Sequence, residues 1–182
     1  VRFTMFLHIQ QFIHYNMSKN VGLFTGVTLR NVGFIVADGD FTSKYRTYTA
    51  GIPLAIKLGD MDKHFNFYFG AEAGFAFNYK EKHFRGSTRE SMTTEWFSGR
   101  TNWFQPQLFA GVQLPYGGNL KVAYYPQNFF NTSYREPGTS DYKPYEGVEA
   151  NLFYVSLSFQ LFSSDHNKEK TAVQPDNRTA RL

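Results

Sequence analysis

Residues 151–162, NLFYVSLSFQLF, alternate without a break: Phe153, Val155, Leu157, Phe159 and Leu161 form one set, and Tyr154, Ser156, Ser158 and Gln160 fall between them. Successive side chains of a strand point to opposite faces, so this segment carries one wholly apolar face and one polar face. Whether the apolar face looks inward or outward separates a soluble sandwich from a membrane barrel.

Six further stretches repeat the pattern: VRFTMFLHIQQFIHY (1–15), VGLFTGVTLRN (21–31), RTYTAGIPLAIKLG (46–59), FNFYFGAEAGFAFNYK (65–80), NWFQPQLFAGVQLP (102–115) and LKVAYYPQNFF (120–130). Over all seven, the apolar set contains no Asp, Glu, Lys or Arg. The opposite set holds Arg2, Arg30, Lys57, Glu72, Lys80 and Lys121, with Glu149 just ahead of the last strand. Strict period 2 over ten or more residues makes no helical stripe. Several runs exceed the roughly 5–6 residues of an ordinary soluble strand and reach the roughly 9–11 that cross a tilted bilayer path.

The connections alternate in length. Short ones are 16–20, 59–64 and 115–119; long ones are roughly 36–45, 80–101 and 128–147. An up-and-down barrel places consecutive turns at opposite ends, and outer-membrane barrels keep short turns periplasmic and long loops outside. Seven apolar faces would overfill the lumen of an eight-stranded barrel, so a closed sheet must turn them outward, toward lipid. Bacterial barrels have even strand numbers with both ends periplasmic, which predicts an eighth strand upstream of Val1 or supplied by another chain. A soluble β-sandwich explains the alternation equally well, but not the strand lengths, the loop parity or the aromatic residues near strand ends. The expected architecture is an all-β, antiparallel, eight-stranded transmembrane barrel over 1–162, followed by a polar periplasmic tail, 163–182, that is disordered or extended.

Composition agrees. Charged residues make up 19% and aromatics 19%, and there is no cysteine, which excludes disulfides, thiol nucleophiles and Cys-based metal sites. The net charge of +4 is not clustered along the chain, which argues against a nucleic-acid partner. No apolar run is long enough for a transmembrane helix, and a negative mean hydropathy is what alternating strands produce. The chain begins at Val1 without a signal peptide, so the N-terminus reads as processed or incomplete.

Arg30, Lys57, Lys121, Glu72 and Glu149 are expected to form an ion-pair network that plugs the lumen. Tyr15, Tyr45, Tyr48, Tyr79, Trp103 and Tyr116 fit aromatic girdles at the two interfaces. Trp96, Phe97, Tyr134, Tyr142 and Tyr145 are candidate loop anchors for a protein partner or surface glycan. His8 and His14 share a face but lie about 20 Å apart along a strand, too far for one metal. Asp38, Asp40, Asp60 and Asp62 lack the ligand count of a calcium loop. No cofactor and no metal is expected. A competing possibility is a lipid-modifying enzyme at the outer rim, with His83 joined by Ser87 or Ser91 and by Glu90 or Glu95. The long loops carry nine basic residues (Lys44, Arg46, Lys80, Lys82, Arg85, Arg89, Arg100, Arg135, Lys143) against eight acidic ones, a balance too even to steer an anionic ligand.

The stretches 46–84, 22–35 and 102–131 and the closing strand resemble the PorT-like outer-membrane β-barrel family of Bacteroidetes. The most particular features are GIPLAIK with Pro53 inside a strand, the strand end FNYKEKHF, and the turn QLPYGGNLK. The resemblance implies a non-enzymatic barrel, acting alone or as an accessory subunit of a larger secretion, assembly or uptake complex. Its implied partners are outer-membrane lipid, lipopolysaccharide and other outer-membrane proteins, and it brings no catalytic residues. The polar tail from Ser163 to Leu182 departs from the family, which ends near its last strand.

Overall fold

The computed structural model describes residues 8–138 and 142–159. Residues 1–7, 139–141 and 160–182, with the expectations placed on them, lie outside the described residues. Eight strands form one antiparallel sheet: β1 (His8–Asn16), β2 (Val21–Asp38), β3 (Phe41–Asp60), β4 (Phe65–Arg85), β5 (Thr88–Trp96), β6 (Gln107–Gln113), β7 (Gly118–Tyr124) and β8 (Phe153–Phe159). Their order is β1-β2-β3-β4-β6-β7-β8, with β5 attached to the far half of β4. Among the described residues the sheet is not closed by backbone pairing, since β1 and β8 are its edges. It is nevertheless curled: the rings of His8 on β1 and Tyr154 on β8 lie 5.5 Å apart.

The apolar face points outward. On β8, Phe153, Val155, Leu157 and Phe159 are all exposed, Leu157 at 66%. On β3, Leu54 is 63% exposed while its neighbours Ala55 and Lys57 are 2% and 4% exposed. Phe65, Phe67 and Phe69 on β4 and Val27 and Leu29 on β2 face out in the same way. Arg30, Lys57, Glu72 and Lys121 are buried on the concave side. A sandwich requires the opposite arrangement, because its two sheets bury their apolar faces against each other.

Two segments expected as long loops are largely strand. β2, β3 and β4 run for 18, 20 and 21 residues, and the connection at 36–45 is a hairpin that turns through Gly39 with φ of 54°. Most of 80–101 is the β4–β5 hairpin. Conversely, the segment expected as strand through Phe130 ends at Tyr124, and 102–115 pairs continuously only from Gln107, just past Pro106, which has no N–H for a ladder.

β4 contains a bulge. Thr49 pairs with Ala76 and Tyr48 with Asn78, leaving Phe77 as the extra residue. A single inserted residue reverses which face each later side chain occupies. Odd positions of β4 point outward as far as Phe75, but Tyr79 and Glu81 are buried inside. Pro53 is accommodated by a gap in the β2–β3 ladder. Pairing holds at Thr25–Leu54 and Thr28–Gly51 but not at the two positions between, and Thr25 Oγ1 donates to the Pro53 carbonyl at 2.7 Å.

Candidate functional site

The concave side is filled in layers. Nearest the short turns, Phe24, Ala55, Tyr68, Phe109 and Ala123 pack together, flanked by Phe12 and Tyr154. Gly111 is required there, because a Cβ would overlap the Tyr68 hydroxyl, which donates to Asn119 Oδ1 at 2.7 Å. The next layer is polar. Arg30 Nη2 forms an ion pair with Glu72 Oε1, Thr28 Oγ1 donates to the same oxygen at 2.6 Å, and Arg30 Nη1 donates to Gln107 Oε1 at 2.9 Å. Tyr154 OH accepts from Gln107 Nε2 at 2.9 Å. A carboxylate can be held dry only when paired and hydrogen-bonded, and Glu72 is both.

The expected five-residue network therefore reduces to one pair. Lys57 and Lys121 are buried in the interior, but Lys57 donates to Asn16 Oδ1 at 2.8 Å, and Lys121 sits over the Phe109 ring at 4.1 Å. Glu149 is exposed, because it precedes β8 in a segment that lies over the rim rather than on the concave face.

Above the ion pair, the segment between β7 and β8 folds over the end away from the short turns. Tyr79, Phe129, Phe130 and Tyr145 are buried together against Phe34, Tyr45, Tyr134 and Leu152. Phe130 and Tyr145 stack at 4.2 Å with their planes 5° apart. Arg100 ties this cap to the β5 arm by donating to Glu95 at 3.2 Å, Glu136 at 3.0 Å and the Tyr145 hydroxyl at 3.3 Å, and it lies 5.0 Å from the Tyr134 ring centre. Burial opposes its charge, but the bonds to Tyr145, Glu136 and Glu95 outweigh it and hold the Arg100 guanidinium above its usual pKa.

Tyr145 and Tyr134 thus belong to the cap and are not free loop anchors; aromatic rings in a long loop bury themselves when a hydrophobic floor lies beneath them. Trp96, Phe97 and Tyr142 are exposed, Phe97 at 80%. Among the girdle residues, Tyr15, Trp103 and Tyr116 are exposed, and Tyr48 is half-buried on the outer face. Two are exceptions: Tyr45, at an inward position of β3, packs against Phe34 and Phe130 in the cap, and Tyr79 is turned inward by the bulge at Phe77. Its place outside is taken by stacked pairs that the sequence did not single out, Phe75 on Trp103 at 5.8 Å and Phe77 on Trp96 at 5.9 Å.

His83 lies near the far end of β4, where cross-strand pairing brings Ser43 opposite it. Ser43 Oγ is 2.8 Å from His83 Nδ1, and His83 Nε2 is 2.8 Å from Glu81 Oε1. Tyr79 OH donates to Glu81 Oε2 at 2.9 Å. One neutral tautomer satisfies both contacts, with Nε2–H donating to Glu81 and Nδ1 accepting from Ser43. Of the rim residues expected beside His83, Ser91 pairs with it through the backbone, Glu90 is bound to Arg85 at 2.7 Å, and Glu95 belongs to the Arg100 cluster. Ser87 lies in the exposed β4–β5 turn.

Compared with models of protein families, with curated proteins and with solved structures, the chain matches none of them.

Proposed function

We propose that this chain is an outer-membrane β-barrel with a filled interior, a member of the PorT-like group, that serves as a non-enzymatic scaffold or accessory subunit in a larger envelope complex. The observation that carries the reading is the inverted burial: isoleucines, leucines and phenylalanines outside, Arg30, Glu72, Lys57 and Lys121 inside. From Leu58 up to Tyr48 the outward run of β3 climbs about 33 Å of strand, which at a tilt of about 40° is roughly 25 Å of height. That is the height of the apolar band on known outer-membrane barrels. Exposed aromatic rings mark both of its ends. Lipid and lipopolysaccharide face this band, the short turns lie in the periplasm and the capped end faces outside.

Three layers of packed side chains block the interior, so transport through it is not its work. Above the membrane, β5 pairs only with β4 among the described residues and carries exposed Met92 and Trp96, with exposed Phe97 just past its end, an edge suited to strand addition by another outer-membrane protein. The test combines carbonate washing, planar-bilayer recording and purification in mild detergent. The reading expects retention in the membrane, no porin-sized conductance and a stoichiometric companion; release by carbonate or an open pore overturns it.

One observation favours a second reading, acyl-ester chemistry at the rim. The Ser43–His83–Glu81 line has the connectivity of a nucleophile, base and orienting carboxylate. In that role Ser43 Oγ attacks the ester carbonyl of a lipid, its proton passes to His83 Nδ1, and the alcohol leaves carrying that proton. Lipid profiles unchanged by Ser43→Ala and His83→Ala would leave the line as a structural hydrogen-bond chain.

A further inference from the structure

Four of the nine basic loop residues are sorted onto one face. β3 keeps its even positions outward, so Lys44 and Arg46 continue the row Leu54, Ile52, Ala50 and Tyr48 on the outside wall. In β4 the bulge at Phe77 moves even positions outward from Lys80 onward, which adds Lys80 and Lys82 to the same wall. The register sets them directly opposite one another, Lys44 against Lys82 and Arg46 against Lys80.

Like charges directly across an antiparallel ladder repel, and two such pairs in succession are an arrangement that sheets avoid unless something offsets it. No described carboxylate does. The flanking positions in register are Ile35 and Gly33 on β2 and Met92 and Thr94 on β5. None of the four cations has an ion pair with a described acidic residue, and Glu81, the nearest carboxylate in sequence, is buried on the opposite face against Tyr79 and His83. One cation of each pair leans onto a ring, Lys44 Nζ 4.6 Å from the Phe84 centre and Lys80 Nζ 5.8 Å from that of Tyr48. A shallow cleft lies between them, floored by Gly33 and Ile35.

The height of the patch says what fills it. On β3 the apolar row ends at Tyr48 and the next outward residue is Arg46; on β4 it ends at Phe75 and Phe77, followed by Asn78, covered opposite Tyr48, and then Lys80. Hydrocarbon contact therefore gives way to cations at the level of the aromatic ring, where lipid headgroups lie, and at the capped end, which faces the outer leaflet. We propose that Lys44, Arg46, Lys80 and Lys82 bind the phosphate of an outer-leaflet lipid headgroup, whose acyl chains lie against Tyr48, Ile52 and Phe75. This rests on the membrane reading given above. Each cross-strand pair presents two cations about 5 Å apart at the backbone, a spacing at which both can donate to one phosphate.

The test uses the purified chain in detergent micelles doped with lipid A or with its dephosphorylated form, and native mass spectrometry counts the lipid retained. The unsubstituted protein is expected to keep lipid A at least tenfold over the dephosphorylated lipid. The joint variant Lys44→Gln, Arg46→Gln, Lys80→Gln, Lys82→Gln should bring that ratio close to one, while Lys19→Gln with Lys63→Gln, at the short-turn end, leaves it unchanged. Equal retention by the fourfold variant overturns the site. If inorganic phosphate or a soluble glucosamine bisphosphate displaces lipid A at equal concentration, the site is for a free anion and the lipid assignment is wrong. Partition into vesicles is scored separately: a fourfold variant that partitions normally but loses lipid A selectivity locates the defect in the patch, whereas an unsubstituted protein that does not partition overturns the membrane reading itself.

Discussion

Replacing Glu72 by glutamine leaves the shape of the mid-interior layer almost unchanged and removes its only described anion. Glu72 and Arg30 have side chains 0% and 3% exposed, so the guanidinium cannot turn to water when its partner is lost. Thr28 and Gln107 remain as neutral neighbours, and neither can balance the charge. Breaking a buried pair by removing one partner costs about 3–5 kcal/mol. With a urea dependence of about 2 kcal/mol per molar, that is a midpoint lowered by roughly 1.5–2.5 M. The double variant Arg30→Met, Glu72→Leu removes both charges together, and is expected within about 1 kcal/mol of the parent or above it, as replaced buried pairs often are. The assay is urea unfolding of the refolded protein in micelles or vesicles, followed by tryptophan emission from Trp96 and Trp103. A Glu72→Gln midpoint within about 0.25 M of the parent, roughly 0.5 kcal/mol on the same slope, would refute the claim that this layer is dry and charge-paired.

Three smaller perturbations follow from the same packing. A Cβ at Gly51 overlaps Glu72 Oε1 and comes within 2.7 Å of Thr28 Oγ1, so Gly51→Ala is expected to cost about 1–3 kcal/mol by the same unfolding assay. Tyr145→Ala removes the ring stacked on Phe130 and an acceptor for Arg100; about 3–5 kcal/mol of cap stability should be lost, read as faster protease cleavage within 126–150 while the rest of the sheet stays folded. At the short-turn end, the backbone N–H of Lys63 donates to Asp60 and holds its carboxyl below the ordinary range. A lowered folded pKa gives stability that is present above the unfolded value, near 4, and lost as pH falls through the folded one. Asp60→Asn should therefore flatten the dependence of the unfolding midpoint between about pH 5 and 3, and an unchanged slope would assign that dependence elsewhere.

The direction of the apolar face was legible because the residues report it themselves. Phe153 to Phe159 and Leu54 to Leu58 alternate with no exception, and charge on the opposite face leaves one arrangement for a curled sheet. What was not legible depends on register. The bulge at Phe77 carries no mark in FAFNYK, yet it turns Tyr79 and Glu81 inward and Lys80 and Lys82 outward. It thereby removes one girdle residue, builds the Ser43–His83–Glu81 line and collects the cations into a patch. Summing charge over the loops concealed that patch, since a sum along the chain does not know which face each residue takes. Glu81 and His83, two residues apart in an extended run, did signal a shared face, but Ser43 joins them only through the cross-strand pairing of β3 with β4. Phe129 and Phe130 looked like a strand end because aromatic residues suit strands and hydrophobic caps equally well. Pro126 and the Asn128 side chain, whose Oδ1 accepts from the Phe130 and Ala150 backbones, are the local reasons the ladder stops before them.

The central claim is that the outward face of this sheet lies in lipid, and the absence of native cysteine makes it directly measurable. Single cysteines placed in turn at Leu54, Ala55, Ile56, Phe67, Tyr68, Phe69, Tyr154, Val155, Ser156 and Leu157 can each carry a nitroxide in reconstituted vesicles. Relaxation by oxygen, which concentrates in hydrocarbon, is then compared with relaxation by a water-soluble nickel chelate. A lipid-facing outer side gives a period of two, with oxygen access high at 54, 56, 67, 69, 155 and 157 and both reagents excluded at 55, 68, 154 and 156. High oxygen access at the second set, or chelate access at the first, would contradict it.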